Sequence, residues 1–295
     1  MASDSIEIDK GNLVNLDNQD HPSFEQGPMS FGRRGDLEVR LAQTMAEIDA
    51  VQALRYRVFY EEMSAKADAA TLASKRDADR FDDFCDHLLV IDHALVPDGH
   101  KGATPLEAVV GCYRLLRQEV AEQHGGFYTA SEFNIAPMLK RAGPDVRFLE
   151  LGRSCVLEPY RNKRTVELLW HGIMHYVAHH KMDVMLGCAS FETTDPSVLD
   201  MPLSYLHYEH MTPEDWYVRA RDDQYVEMKR LPKDDVEFRK ALRAMPPMIK
   251  GYIRAGCFIG DGAVVDEQFG TTDVLILFPV AEINDRYSSK FSKKA

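Results

Sequence analysis

The chain has 295 residues, 45% of them hydrophobic and 28% charged, with a formal net charge of −12 at pH 7. This composition excludes a fibrous or wholly disordered chain, and the acidic balance argues against duplex nucleic acid, whose binding rests on phosphate neutralisation. The longest apolar stretches, such as Val274 to Phe278, fall far short of the roughly 20 residues of a membrane-spanning helix.

The first residues carry Asp4, Glu7 and Asp9 and lack the basic start and apolar run of a secretory signal, so export is not expected. Residues 1–36, rich in Asp, Asn, Gly, Ser and Pro, read as a disordered N-terminal tail. Leu37 to Leu41 alternates as a strand, and Thr44-x-x-Glu47 opens a helix running to about Met63 with Ile48, Val51, Val58 and Phe59 as its apolar stripe. A charged loop or broken helix from Lys66 to Asp86 follows, then strands at His87 to Asp92 and Glu107 to Leu116. Arg147 to Leu157 reads as a strand, Thr165 to Met182 as an amphipathic helix, and Asp183 to Phe191 as the next strand. This alternation predicts a mixed α/β domain with at least one strand–helix–strand crossover, spanning residues 37–295 as a single unit. The last hundred residues are less regular, with a basic stretch from Lys229 to Arg254 and a final strand at Asp273 to Val280.

Five cysteines (Cys85, Cys112, Cys155, Cys188 and Cys257) are odd in number and widely spaced, without Cys-x-x-Cys. A reduced, cytoplasmic protein with neither a disulfide framework nor a cysteine metal site is expected. His171, His175 and His179 stack on one helix face without His-Glu-x-x-His or an acidic ligand beside them, so a polar stripe is expected there and no metal. His87 and Asp92 match a His-x4-Asp pattern, but five residues apart on a strand they point to opposite faces.

Three charge placements are unusual. Arg55 falls on the apolar face of its own helix, where an unpaired guanidinium is costly, so it pairs with the Asp79 and Asp82 group, orients an anion, or does both. Arg114 ends an otherwise apolar strand. Glu150 and Arg153 would point to opposite faces of a regular strand, and a bulge at Leu151-Gly152 would bring them together and free backbone N–H groups for an oxyanion beside a carboxylate base. Tyr160 to Arg164 is a basic loop at a helix N-terminus, a place for an anion, and has no glycines of a nucleotide loop.

Leu54-Arg-Tyr-Arg-Val-Phe59, Asp79-Arg-Phe-Asp82, Arg114 and Glu150-Leu-Gly-Arg153 together resemble the ordered signature of the acyl-homoserine-lactone-synthase branch of the GNAT superfamily. Glu150 to Arg164, Met245 to Gly256, Gly260 to Asp266 and Gln268 to Asp273 narrow the resemblance to bacterial L-ornithine Nα-acyltransferases, over about residues 37 to 283. The resemblance implies a GNAT fold, a mixed and mostly antiparallel sheet flanked by helices with a C-terminal elaboration. It implies transfer of a 3-hydroxyacyl group from acyl carrier protein to the α-amine of L-ornithine, forming lyso-ornithine lipid, the first step of ornithine lipid biosynthesis.

In that reading Glu150 and Arg153 are catalytic, and Arg55, Phe59, Asp79, Asp82 and Arg114 bind substrate. Arg161, Asn162, Lys163 and Arg164 take the carrier's single phosphopantetheine phosphate, in place of the glycine-rich pyrophosphate loop of general GNAT acetyltransferases. No cofactor is expected beyond that carrier-borne group. Asp79, Asp82 and an arginine would match the side-chain ammonium and the carboxylate of the acceptor. The basic stretch, with Met245, Met248, Ile249 and Ile253, would rest on an anionic inner membrane or dock the carrier protein. The alternatives are an autoinducer synthase acting on S-adenosylmethionine, which is typically shorter, and a catalytically silent acyl-carrier-binding module.

Overall fold

The computed structural model describes residues 30–98 and 104–283. Ser30–Arg34 (β1) and Leu37–Leu41 (β2) form an antiparallel hairpin across a two-residue loop, with Gly35 left-handed at φ +60°. The boundary at residue 36 is thus corrected: Phe31 is buried and its ring stacks on His175, which ties the last residues of the expected tail into the sheet. Residues 1–29 of that expectation lie outside the described residues.

Helix α1 (Met45–Tyr56) starts where the Thr44 side chain accepts from the Glu47 N–H, and its chain widens into a π-helical turn over Arg57–Glu62, short of the expected single helix to Met63. Then come α2 (Ala69–Ser74), the turn Arg80–Asp83, β3 (Asp86–Asp92), β4 (Val109–Arg117), α3 (Gln118–Gln123), the turn Tyr128–Ser131, β5 (Phe133–Asn134) and α4 (Ala136–Ala142). The crossover is β6 (Phe148–Val156), α5 (Lys163–His180) and β7 (Val184–Phe191), close to the expected bounds. The C-terminal part holds α6 (Asp200–His210), β8 (Arg219–Ala220), α7 (Phe238–Ala244), α8 (Pro247–Ala255), β9 (Phe258–Asp266) and β10 (Thr271–Pro279).

The strand order is β1-β2-β3-β4-β6-β7-β10-β9-β8-β5. Neighbours are antiparallel except β6 with β7 and β8 with β9. Strand alternation divides the interior in two. Leu149, Met185 and Ala189 join the larger cluster, with Ile48 and Val51 of α1, Leu168 and Ile173 of α5 and Ile249 of α8. Phe148, Val184 and Leu186 join the opposite cluster with Phe81, Phe84, Phe127, Phe133 and Met138. The chemistry described below stands at the rim of this second cluster.

Among the described residues no helix is long and apolar enough to cross a membrane. Of the four apolar residues expected on a membrane-facing surface, Met245, Ile249 and Ile253 are buried in the core and Met248 alone is exposed. The apolar face of α8 serves the fold.

Candidate active site

The site begins where two parallel strands part. β6 and β7 pair at Phe148 with Val184, Leu149 with Met185 and Glu150 with Leu186, and there the shared ladder ends. β6 continues along β4 to Val156, while β7 continues along β10 to Phe191. A V-shaped opening follows, with backbone of both strands along its walls. Gly187 stands just past the vertex, and a Cβ there would lie 2.3 Å from the Leu151 carbonyl oxygen, so only glycine permits this approach. An apolar crevice lined by Leu151, Trp170, Met185, Tyr252, Ile276 and Phe278 adjoins the vertex, with about 20 Å³ of free space.

The bulge anticipated at Leu151-Gly152 falls one or two residues later. Cys112 faces Cys155 and Arg114 faces Gly152, so β6 uses one residue more than β4. Arg153 within it has φ +49°, a left-handed conformation that costs a non-glycine residue energy and that surrounding contacts must hold. The bulge turns Arg153 toward the Tyr128 turn that Glu150 also holds. Its guanidinium carbon lies 4.8 Å from the centroids of both Tyr128 and Phe269, and Phe269 in turn packs edge-on against Phe59.

Behind this ring the charges singled out in sequence form one network. Arg55 Nη1 donates to Asp82 Oδ1 at 2.9 Å and Nη2 to Asp82 Oδ2 at 2.6 Å, and Nε lies 2.8 Å from Asp77 Oδ2. Arg114 Nη1 donates to Asp79 Oδ1 at 2.6 Å and Asp82 Oδ1 at 3.1 Å. Arg153 donates to Asp77 Oδ2 at 3.2 Å and Asp79 Oδ2 at 3.3 Å. Asp79 and Asp82 also form a reciprocal capping box around the turn that carries them. Burial alone would raise the Asp82 pKa, but Arg55 foremost, then His87 and Arg114, hold the carboxylate well below its usual range. Asp77, absent from the sequence-derived site, completes the balance of three arginines and three aspartates. Asp79 and Asp82, expected to receive a substrate ammonium, have their charge taken up by guanidinium groups.

Glu150 is buried at the vertex, where Oε2 accepts from the Tyr128 N–H at 2.9 Å and Oε1 from the Thr129 N–H at 2.6 Å. Burial pushes its pKa up, against the lowering effect of those donors. It therefore anchors the Tyr128–Ser131 turn to the vertex.

Sequence reasoning assigned no role to a second set of carboxylates, on Glu132, Asp266 and Asp273, which bring one oxygen each to within 4.8 Å of one another. Glu132 follows the Tyr128–Ser131 turn, Asp266 ends β9, and Asp273 lies in β10. Burial, reinforced by Asp273, pushes Glu132 up to about 7. Burial, reinforced by Asp266, pushes Asp273 up to about 6. Cys188, on β7 two residues past the vertex, donates its thiol to Glu132 Oε2 at 3.2 Å. The one available signal was Asp273 itself, a carboxylate heading the apolar run from Val274 to Phe278.

At the other end of β6, Asn162 Oδ1 caps α5 by accepting from the N–H groups of Arg164 at 3.0 Å and Thr165 at 3.2 Å. Arg161 donates to the Val156 carbonyl at 2.8 Å and pairs with Glu62, and Arg164 donates to the Arg34 carbonyl. Lys163 extends into solvent with Glu167 at 3.8 Å. The four residues do surround the start of α5, each already engaged with the protein.

A family model described as an acetyltransferase (GNAT) domain matches residues 54–171. The L-ornithine N(alpha)-acyltransferase of Brucella abortus (strain 2308) is 50% identical over 265 residues, covering 90% of this chain and 92% of that protein. The enzyme of the same name from Rhizobium meliloti (strain 1021) is also 50% identical over 265 residues, 90% and 87% of the two chains. That of Rhodobacter capsulatus is 38% identical over 257 residues, 87% and 95%. Among solved structures, FeeM, an N-acyl amino acid synthase from uncultured soil microbes, superposes with a TM-score of 0.46 at 11% identity over 89% of this chain and 95% of its own. The AHL synthase LasI gives 0.45 at 13% identity over 87% and 94%.

Proposed function

The chain belongs to the L-ornithine N(alpha)-acyltransferases, enzymes with a GNAT domain, and from that membership we propose that it transfers a 3-hydroxyacyl group from acyl carrier protein to the α-amine of L-ornithine. The product is lyso-ornithine lipid, which places the reaction at the start of ornithine lipid biosynthesis. The observation that carries the reading is half-identity along nine-tenths of the chain with enzymes of that name, joined to a parting pair of strands with a buried carboxyl group at its vertex.

The acyl thioester enters the V between β6 and β7 with its apolar chain toward Leu151, Trp170 and Phe278. Since the crevice holds only about 20 Å³, those side chains move to admit a chain. The neutral α-amine attacks the thioester carbonyl, the carbon–nitrogen bond forms, and negative charge develops on the carbonyl oxygen. Backbone N–H groups of the bulge around Gly152 and Arg153 are the donors assigned to that oxygen. Glu150, its pKa raised, accepts the proton that the amine loses, through a water molecule because both its oxygens already accept protein N–H groups. Collapse of the intermediate breaks the carbon–sulfur bond, and the phosphopantetheine thiolate leaves and is protonated.

Arg55, Asp82 and Arg114 are positioning residues in this scheme. They fix the turn carrying Asp79 and, through Asp77 and Asp79, the strained Arg153. Phe59 positions Phe269 under the Arg153 guanidinium. Arg161 and Lys163 at the start of α5 receive the phosphopantetheine phosphate, Asn162 caps the helix end beside them, and Arg164 frames the loop. The absence of a glycine-rich pyrophosphate loop favours a carrier protein over coenzyme A. The amphiphilic product must reach a lipid phase, and we assign peripheral contact with an anionic membrane to exposed Phe238 and Met248 among Arg239, Arg243 and Lys250.

The test incubates the purified protein with 3-hydroxyacyl carrier protein or the matching coenzyme A thioester, offering L-ornithine or S-adenosylmethionine as acceptor. Acylornithine formed from the carrier-bound donor supports the reading. Product with S-adenosylmethionine alone would move the protein to the lactone synthases, and preference for coenzyme A would remove the carrier-protein assignment.

A further inference from the structure

Glu132, Asp266 and Asp273 form a largely buried acidic pocket with no basic side chain paired to it among the described residues. Among the described residues no lysine, arginine or histidine makes an ion pair with any of them, and the neighbouring Arg153 is committed to Asp77 and Asp79. Asp273 is 6% exposed; hydrogen bonding from the Ser190 and Thr271 side chains works against the burial that raises its pKa, while its Oδ1 has no hydrogen-bond partner among the described residues. Asp266 Oδ1 closes the turn after β9 by accepting from the Gln268 and Phe269 N–H groups, and Glu132 has the Cys188 thiol. A buried carboxylate oxygen with no donor of its own, and only the distant charge of an arginine paired elsewhere, is costly, and a cation in the pocket removes that cost.

The position of the pocket relates it to the opening. Cys188, which touches Glu132, lies two residues beyond Leu186, the last partner of Glu150. Residues two apart on a strand share a face and are separated by roughly 6–7 Å. That is about the reach of a three-methylene side chain from an α-amine held at the vertex.

We propose that Glu132, Asp266 and Asp273 hold the side-chain ammonium of the dibasic acceptor while its α-amine lies at the β6–β7 vertex, an assignment that rests on the ornithine reading above. An alkylammonium has three N–H donors and no acceptor, matching three convergent carboxylates. A hard divalent cation would call for six to eight oxygens, more than the pocket supplies from side chains. The ammonium thus moves from Asp79 and Asp82, where sequence alone put it, to carboxylates that no guanidinium occupies.

The experiment measures steady-state acylation by the wild type, Asp273→Asn and Glu132→Gln with L-ornithine and with L-norvaline, the same skeleton without the side-chain amine. Thermal melting with each amino acid, and calorimetry with Mg²⁺ and with Ca²⁺ alone, accompany it. The wild type should prefer ornithine, and ornithine but not norvaline should raise its melting temperature. Each variant should lose about 10- to 100-fold of the ornithine preference, the worth of a hydrogen bond to a charged group, with the loss in KM rather than kcat. If the wild type acylates ornithine but equal stabilisation by norvaline, or variants with unchanged ornithine KM, are found, this site is refuted and the ornithine reading stands. Tight Mg²⁺ or Ca²⁺ binding abolished by Asp273→Asn, with ornithine KM unmoved, would make the pocket a metal site instead. A wild type that acylates neither amino acid brings down the ornithine reading and this site together.

Discussion

Arg55 and Asp82 meet as a closed fork, Nη1 to Oδ1 at 2.9 Å and Nη2 to Oδ2 at 2.6 Å, with the two side chains 0% and 3% exposed. A pair so enclosed stabilises little over a well-packed apolar pair, yet breaking one side leaves the other charge stranded. Its weight lies in what it fixes: the turn that carries Asp79, and through the shared aspartates the left-handed Arg153 at the edge of the opening.

Arg55→Ala should therefore cost about 3–5 kcal/mol in urea unfolding, because Asp82 and Asp77 lose their main buried cation. Arg55→Lys should recover only part of this, since an ammonium cannot reproduce the two-pronged contact. Equal stability of the alanine variant and wild type would show that the network does not hold the fold.

At the vertex, Gly187→Ala places a Cβ 2.3 Å from the Leu151 carbonyl oxygen. Backbone must shift to relieve it, which should cost about 1–3 kcal/mol and reduce turnover by misaligning the parting strands. Gly251→Ala in α8, with no atom within 4 Å of the added Cβ, should instead stabilise by about 0.5–1 kcal/mol through helix propensity. If both variants behave alike in melting and in turnover, the vertex is not the site of the reaction.

The acidic pocket gives the pH dependence a sign. Glu132 has its pKa raised to about 7 from an ordinary 4.5, so below about 4.5 it is protonated in folded and unfolded chains alike and carries no charge cost. Between those values the unfolded chain releases its proton first, and the stability this group contributes is lost as pH rises through about 7. Asp273, raised to about 6, acts in the same direction. The melting temperature without substrate should fall from pH 5 to pH 8, and Glu132→Gln should flatten that slope. Ornithine, as a cation, should bind better over the same rise, so its KM should fall from pH 6 to pH 8 in the wild type. A KM that rises over that interval would contradict the pocket's role.

Much of the central fold was legible because its periodicities are strong. Val166, Leu169, Ile173 and Val177 mark α5, and flanking apolar runs mark β6 and β7. The C-terminal part was harder: Gly260 and Gly262 interrupt the alternation of β9, and α7 and α8 are short. Within the site, Arg55 and Arg114 were readable as charges on apolar surfaces, and a bulge was inferable from the spacing of Glu150 and Arg153. Their partners were less so, since Asp77 and Asp79 differ only in backbone placement. The acidic pocket was hardly legible: Asp273 alone stood out, and Glu132, from the turn before β5, joins the β9–β10 hairpin that carries Asp266 and Asp273 only in the folded sheet.

The most direct test of the central claim is the position of the new amide in the product, read by tandem mass spectrometry after reaction of wild-type protein with 3-hydroxyacyl carrier protein and L-ornithine. An α-amine at the vertex and a side-chain ammonium held by Glu132, Asp266 and Asp273 require acylation at the α-nitrogen, with the side-chain amine free. Acylation at the side-chain nitrogen, or a mixture of the two, would contradict the arrangement derived from the fold.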